Sequence, residues 1–299
     1  MKWLDRTFAT PAENLACDEA LLDLCEETGV EVLRCWESRQ AFVVVGYGNR
    51  VASEVNVEEC RRRGVPILRR CSGGGTVVQG PGCLNYNLTL KISDRGLLTT
   101  VTGTNQFIME RNRAALENLL GTSVAVMGHT DLAFARAFPS HAKGEGTAAG
   151  RSGNLSAALA NPAREQLRET ASLSPSPWGE GRGEGEQSHL SPAHSHWHKF
   201  SGNAQRRRRH ALVFHGTILH GFDLPLVEAL LRFPSAQPEY RAHRSHTQFV
   251  RNIPATAADL RAALRAAWRA EEKFPDAPPV RLEPLLRDHY LNESWNRRR

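Results

Sequence analysis

Apolar residues recur at helical spacing in several stretches of the chain. Residues 11 to 27 are the clearest case, because Thr10 can cap a helix there, Pro11 suits its first turn and Gly29 follows its last apolar position. The pattern predicts further helices at residues 104 to 120, 223 to 233 and 256 to 273, and a short basic helix at 57 to 63.

Other stretches have the alternating or continuous apolar character of strands. They lie at residues 31 to 36, 41 to 45, 84 to 90, 123 to 127 and 211 to 219. A polar turn at residues 37 to 40 joins the first two. The run from Val43 to Val45 is typical of a strand that is buried on both faces.

The character of the chain changes between residues 136 and 198. Glycine, serine, proline, alanine and histidine dominate this stretch, and residues 174 to 186 are repetitive. Such a composition buries too little apolar surface to offset the entropy lost on ordering, so the segment is predicted to be a disordered insertion in a single domain. A long flexible loop costs little free energy to close, because that cost grows only logarithmically with loop length.

Composition sets wide limits on the type of protein. The chain has 299 residues and is 40% hydrophobic, and no apolar run approaches the roughly 18 residues that cross a bilayer. Its start lacks the apolar core of a secretory signal, so the expected location is the cytoplasm, with no membrane partner. The net charge of +6 suggests acidic partners, which nucleotide phosphate, an acidic protein and nucleic acid would all satisfy.

Six cysteines, at positions 17, 25, 35, 60, 71 and 83, have irregular spacing and no CxxC pair. Reduced thiols are therefore expected rather than a disulfide framework. The histidine-rich stretch at residues 194 to 198 offers no fixed geometry, so no metal site held by the protein alone is expected.

The most informative stretch is Arg69-Arg70-Cys71-Ser72-Gly73-Gly74-Gly75-Thr76. Three glycines without Cβ atoms let the backbone bend sharply and bring its N–H groups against a ligand. Two arginines beside bare backbone donors suit an anion such as a phosphate or a carboxylate. The alternative is a glycine hairpin with solvated arginines.

Three further motifs follow in order: Asp131-Leu132, then Lys199-Phe200-Ser201-Gly202-Asn203-Ala204-Gln205, then His215-Gly216-Thr217. Together with the glycine-rich stretch, they resemble the catalytic domain of lipoate-protein ligases, in the biotin/lipoate ligase and octanoyltransferase superfamily. The resemblance spans roughly residues 10 to 296, apart from the insertion.

The resemblance implies an α/β fold of the α+β type, with helices flanking a mixed, largely antiparallel sheet. It implies an enzyme that activates lipoate or octanoate with ATP and Mg²⁺ to an acyl-adenylate. The acyl group then passes to a lysine of a lipoyl domain, in a 2-oxoacid dehydrogenase complex or the glycine-cleavage H protein. No small accessory domain of the kind that some ligases carry is expected, so a separate accessory protein is a candidate partner.

The resemblance also assigns residues. Lys199 would be catalytic, contacting the acyl carbonyl and the α-phosphate in both half-reactions. Asp131 would lie near the adenylate and its magnesium. Asn85 and His215 are candidates either for the site or for structural hydrogen bonds. The other substrate-binding and nucleotide-binding residues would be Arg70, Ser72, Gly73, Gly74, Gly75, Ser201, Gly202, Ala204 and Gln205.

The sequence leaves alternatives open. Many relatives have histidine where this chain has Gln79, and an amide cannot transfer a proton by titrating. Octanoyl transfer from acyl carrier protein needs a nucleophilic cysteine. In octanoyltransferases that cysteine comes well after the glycine-rich motif, whereas none follows Cys83 here.

Two non-catalytic alternatives also exist, a nucleic-acid-binding module and a ligand-binding protein without activity. Arginines 206 to 209 would suit nucleic acid at the level of charge. A solvated hairpin turn, open to an acidic protein partner, is the preferred interpretation of these arginines.

Overall fold

The computed structural model describes residues 1–93, 95–135, 196–234, 237–275 and 282–298. The predicted disordered insertion, residues 136 to 198, lies outside these residues up to residue 195. His198 is the first residue of a strand and pairs with Phe134, so strand structure begins before the predicted end of the insertion.

The strands of the described chain are β1 Lys2–Asp5, β2 Val32–Trp36, β3 Phe42–Val45, β4 Ile67–Arg69, β5 Val77–Gln79, β6 Cys83–Lys91, β7 Val124–Met127, β8 Asp131–Phe134, β9 His198–Arg207, β10 Ala211–Leu219 and β11 Glu272–Lys273. In these residues, eight strands form one sheet in the order β11-β1-β2-β6-β10-β9-β8-β7. β1 runs parallel to β2 and β11, and the other neighbours are antiparallel. The predicted mixed, largely antiparallel sheet is confirmed.

Strands β4, β3 and β5 form a second, three-stranded sheet in that order. β3 is parallel to β4 and antiparallel to β5. The strands on either side of the polar turn at residues 37 to 40 therefore do not pair with each other, because the turn carries the chain from the large sheet to the small one.

The α-helices of the described chain are α1 Pro11–Thr28, α2 Val51–Glu54, α3 Val57–Arg62, α4 Val101–Leu120, α5 Pro225–Leu230, α6 His246–Phe249, α7 Ala257–Trp268, α8 Glu283–Leu285 and α9 Glu293–Arg297. Helix α1 starts with the predicted cap, in which Thr10 and Glu13 bond each other's backbone N–H, and Gly29 ends it at φ 71°. Helix α7 is shorter than predicted. It ends at Trp268, Arg269 turns at φ 48°, and residues 272 and 273 form β11 instead.

Helices cover the two faces of the large sheet differently. On one face, Leu260 and Leu264 of α7 and Ile108 of α4 pack in a cluster with Phe214 of β10. On the opposite face, α1 packs against Val213 near the start of β10. The rest of that opposite face carries the site described below. Among the described helices, none has both the length and the hydropathy needed to cross a lipid bilayer.

Candidate active site

The glycine-rich stretch forms the loop between β4 and β5. Gly74 adopts φ +83°, a backbone conformation that residues with a Cβ rarely take. Gly46 packs against it so closely that a Cβ on Gly46 would lie 2.0 Å from the Gly74 carbonyl oxygen. By contrast, a Cβ on Gly73 or Gly75 would meet nothing within 4 Å. These two glycines therefore border open space, which a ligand could enter.

Arg70 organises this loop from within. Its Nε donates to Ser72 Oγ at 3.0 Å, and its Nη2 donates to the carbonyl oxygens of Gly73 at 2.5 Å and Gly75 at 2.8 Å. The side chain is only 8% exposed, and burial lowers its pKa to about 10. The structure thus aims the donors of Arg70 at its own loop, whereas the sequence suggested that they faced an anion.

Arg69 is also directed inward. It is fully buried and donates to the carbonyl oxygens of Gly46 and Asn49, each at 2.8 Å, and of Trp295 at 3.1 Å. It therefore ties the glycine-rich loop to residues 46 to 49 and to the C-terminal helix α9. Nothing in the local sequence indicates this role, because the partners are distant along the chain.

Strand β10 contacts the loop through His215, whose Nε2 lies 2.5 Å from Ser72 Oγ. Burial, and then the charge of Arg70, lowers the pKa of His215 to about 3, so the ring is neutral at physiological pH. Ser72 Oγ thus contacts both the guanidinium of Arg70 and the neutral imidazole of His215, and the tautomer of the ring decides which of Ser72 and His215 donates. Ser72 is fully buried, so it is not presented as a nucleophile.

Thr217, two residues along the same strand, links two candidate residues. Gln79 Nε2 donates to Thr217 Oγ1 at 2.7 Å, and that hydroxyl donates to Asn85 Oδ1 at 2.7 Å. Gln79 Oε1 and Asn85 Nδ2 are buried and have no hydrogen-bond partner among the residues that the structure describes. Gln79 is therefore a hydrogen-bonding member of the site rather than a titrating one.

The Lys199 side chain is held on the same face of the sheet. Its Nζ lies 2.7 Å from Asp131 Oδ1, and the hydroxyl of Tyr240 donates to Asp131 Oδ2 at 2.8 Å. Gly202 leaves room for the ammonium, because a Cβ there would lie 2.9 Å from Lys199 Nζ. A register shift between β8 and β9 accompanies this arrangement.

The glycine-rich loop and the lysine meet on one face of β9. A Cβ on Gly74 would lie 3.4 Å from the Cβ of Ala204, and Ala204 is two residues from Gly202. Because two strand residues span about 7 Å, the loop and the ammonium are neighbours. The face also includes His215, paired with Ala204, and Thr217, paired with Gly202.

Two predicted site residues lie on the other face of β9. Gln205 Nε2 donates to Asn105 Oδ1 of α4 at 2.5 Å. Ser201 pairs with Ile218, whose side chain is in the core beneath α4 and α7. The structure does not bring these two side chains to the Lys199 cluster.

Arginines 206 to 208 contact neighbouring elements more than residues of a solvated turn are expected to. The guanidinium carbon of Arg206 lies 5.4 Å from the centroid of the Tyr47 ring. Arg207 donates to Thr104 Oγ1 at 3.0 Å, and Arg208 pairs with Asp23 at 2.9 Å. The first two arginines are part of β9 itself. The prediction of solvated turn residues is therefore wrong for Arg206 and Arg207, which belong to β9, and is confirmed for Arg208 and Arg209, which are exposed in the turn before β10.

The six cysteines of the chain are free and buried. Burial raises the pKa of Cys17 to about 11 and that of Cys25 and Cys35 to about 12, and it raises the pKa values of Cys71 and Cys83 further. Cys60 is shifted upward for the same reason. At neutral pH all six are thiols, which are poor nucleophiles.

Comparison with known proteins finds relatives that match almost the whole chain and others that match only part of it. The chain is 25% identical over 311 residues to octanoyltransferase LipM of Brevibacillus brevis, covering 97% of this chain and 96% of that protein. A stretch of 85 residues is 40% identical to a protein of Aeropyrum pernix provisionally named lipoate-protein ligase A, and the chain covers 32% of that protein.

Solved structures share the fold. The bipartite lipoate protein ligase studied with its E2 lipoyl domain from Thermoplasma acidophilum superposes with a TM-score of 0.67 at 18% identity, covering 99% of this chain and 96% of that one. The crystal structure of a lipoate-protein ligase A bound with ATP superposes with a TM-score of 0.64 at 19% identity. The match covers 99% of this chain and 98% of that one. The sequence profile of the lipoyl protein ligase A/B catalytic domain matches residues 10–263. The chain therefore belongs to the lipoyl protein ligase A/B catalytic-domain family, as its motifs suggested.

Proposed function

We propose that this protein is an ATP-dependent lipoate-protein ligase. The lipoate carboxylate attacks the α-phosphorus of ATP, and pyrophosphate leaves. The lysine amine of a lipoyl domain then attacks the carbonyl of lipoyl-AMP, which releases AMP and a proton and forms the amide. Octanoate is an alternative acyl substrate of the same site.

The observation that carries this proposal is the ammonium of Lys199, held beside Asp131 on the same face as the open glycine-rich loop. Adenylation and aminolysis both build negative charge on phosphate and carbonyl oxygens, so they need a positioned cation rather than a covalent nucleophile. Lys199 supplies that cation. The backbone N–H groups around Gly73 and Gly75 suit the phosphate.

The remaining residues have supporting roles in the proposal. Ser72 and His215 fix the loop, while Gly202 makes room for the Lys199 ammonium and Ala204 for the glycine-rich loop. Asp131 would offer the Mg²⁺ that enters with ATP a carboxylate ligand, through lone pairs not used by Lys199 and Tyr240. The basic surface, with a net charge of +6, suits an acidic lipoyl domain of a 2-oxoacid dehydrogenase complex or of the H protein, in the cytoplasm.

Octanoyl transfer from acyl carrier protein is the second candidate, because full-length relatives carry the name octanoyltransferase LipM. That route passes through a thioester on the enzyme and needs a thiolate. The burial of all six cysteines, with raised pKa values at Cys71 in the loop and at Cys83, favours the ATP-dependent route.

One experiment separates the two routes. The purified protein is incubated with apo lipoyl domain and either lipoate, ATP and Mg²⁺ or octanoyl carrier protein, and the lipoyl domain is weighed by mass spectrometry. We expect a lipoyl adduct that requires ATP. Lys199→Ala should abolish it, whereas Lys91→Ala, which changes an exposed lysine at the end of β6, should not. An adduct formed only from the octanoyl carrier protein would overturn the ligase proposal.

A further inference from the structure

Tyr240, which is distant in sequence, contacts the Lys199 and Asp131 pair. Tyr240 is 4% exposed, and its hydroxyl donates to Asp131 Oδ2 at 2.8 Å. The other carboxylate oxygen, Oδ1, is 2.7 Å from Lys199 Nζ. Each oxygen of Asp131 thus has its own partner, so the carboxylate cannot rotate without losing one of them.

The hydroxyl of Tyr240 is a permanent donor. Burial raises its pKa, and the adjacent carboxylate of Asp131 raises it further, so the phenol keeps its proton at physiological pH. The ring is fixed as well, because it packs against Phe249 with the ring centroids 5.1 Å apart.

The backbone around Tyr240 is tied to the start of β9. Arg244 Nη2 donates at 2.9 Å both to the Tyr240 carbonyl oxygen and to the Trp197 carbonyl oxygen, two residues before Lys199. The N–H of Arg251 donates to the Lys199 carbonyl oxygen at 2.9 Å. The same segment therefore holds both the backbone of Lys199 and the carboxylate that pairs with its side chain.

We propose that Tyr240 is a positioning residue of the acyl-transfer site, which acts through Asp131 to hold the ammonium of Lys199 over Gly202. This inference rests on the proposed function of Lys199. Without the hydroxyl, Asp131 loses a hydrogen bond to its charged form and turns more freely. The ammonium then occupies several positions, of which only some reach the reacting oxygens.

Tyr290 provides a matched control. Its buried hydroxyl donates to the buried carboxylate of Glu19 at 2.7 Å and also bonds the Cys71 thiol, but among the described residues it contacts neither Lys199 nor Asp131. Tyr240→Phe and Tyr290→Phe each remove one hydroxyl from a buried tyrosine and carboxylate pair, so losses common to both report general destabilisation.

The test is a double-mutant cycle measured in single turnovers, with whichever acyl donor the wild-type protein uses. We expect Tyr240→Phe to slow acyl transfer about tenfold, the loss typical of one hydrogen bond to a charged group, while KM values from a separate steady-state assay change little. On an Asp131→Ala background, Tyr240→Phe should have no further effect. Equal slowing by Tyr290→Phe, or a full additional loss on the Asp131→Ala background, would overturn the inference.

A second measurement does not depend on catalysis. Acetylation of Lys199 in the free protein, followed by mass spectrometry and normalised to Lys91, should be several-fold faster in Tyr240→Phe than in wild type or Tyr290→Phe, because the amine is held less firmly. An unchanged labelling ratio would contradict the positioning role. Absence of transfer from either acyl donor by wild-type protein would instead refute the proposed function, and the labelling result would then decide the role of Tyr240.

Discussion

The hydroxyl oxygen of Ser72 lies 2.5 Å from Nε2 of His215, which joins the glycine-rich loop to a central strand of the large sheet across 143 positions of sequence. Both partners are buried, and the nearby charge of Arg70 opposes any charge on the imidazole. Burial and the charge of Arg70 therefore keep the ring neutral, and they make the stability of the fold around it sensitive to acid.

The first prediction concerns this pH dependence. The pKa of His215 is about 3 in the folded protein against 6.5 as its ordinary value. Between these values the unfolded chain binds a proton at the imidazole and the folded protein does not, so the free energy of unfolding falls as pH falls from 6.5 towards 3. Above pH 6.5 the ring is neutral in both states, so it does not make the free energy of unfolding depend on pH.

Thermal unfolding of wild type and His215→Gln from pH 8 to pH 4 checks this prediction. Glutamine can still bond Ser72 but does not titrate, so the variant should lose less stability below pH 6.5 than the wild type does. Carboxylates titrate in the same range, but they affect both proteins alike. Parallel curves for the two proteins would show that His215 is not held neutral by the fold.

The second prediction separates charge from geometry at Arg70. Its guanidinium bonds Ser72, Gly73 and Gly75 at once. Lysine keeps the charge but lacks the planar fork, so Arg70→Lys should slow acyl transfer by at least about tenfold. Arg209→Lys, in the exposed turn after β9, is the control and should leave the rate unchanged. Wild-type rates for Arg70→Lys would mean that the residue serves only to balance charge.

The third prediction uses the close approach of Lys199 to Gly202. An added Cβ would lie 2.9 Å from Nζ and 3.0 Å from Cε of Lys199, atoms at the far end of a flexible side chain. Gly202→Ala should therefore change the melting temperature little, yet displace the ammonium and reduce single-turnover acyl transfer by about ten- to a hundredfold. In Gly221→Ala the nearest atom is 3.9 Å away, so both quantities should stay near wild type. A Gly202→Ala variant with full activity would argue that the observed lysine position is not the working one.

The parts of the fold that local chemistry determines were predicted well. Helix α1 begins and ends where Thr10 and Gly29 indicated, because caps act within a few residues. The end of α7 was not predicted, since Arg269 adopts a positive φ without a glycine to signal it. Nothing local showed that residues 272 and 273 would leave the helix and pair with β1.

In the site, too, the sequence indicated the local motifs but not the contacts between distant residues. Motif order indicated that the glycine-rich loop, Asp131 and Lys199 would form one site, and in the structure the loop packs on Ala204 while Lys199 pairs with Asp131 on the same face of β9. The block at residues 199 to 205 was treated as one lining segment. It is a strand, so alternate side chains point to opposite faces and Gln205 reaches α4. Tyr240 could not be found from the sequence, because its only relation to Asp131 is spatial.

The fourth prediction tests whether any cysteine takes part in the reaction. Cys71 lies in the glycine-rich loop and Cys83 is the first residue of β6, but they are 6% and 0% exposed and burial raises their pKa values. A thioester route needs an accessible thiolate, so Cys71→Ala and Cys83→Ala should each keep acyl transfer within about threefold, with a stability loss of about 1 kcal/mol from the small cavity. Native protein treated with iodoacetamide at pH 7 should be alkylated much more slowly than unfolded protein. An octanoyl adduct on a peptide containing Cys71 or Cys83, together with loss of transfer in the matching variant, would identify a covalent intermediate. That result would place this chain with the transferases instead.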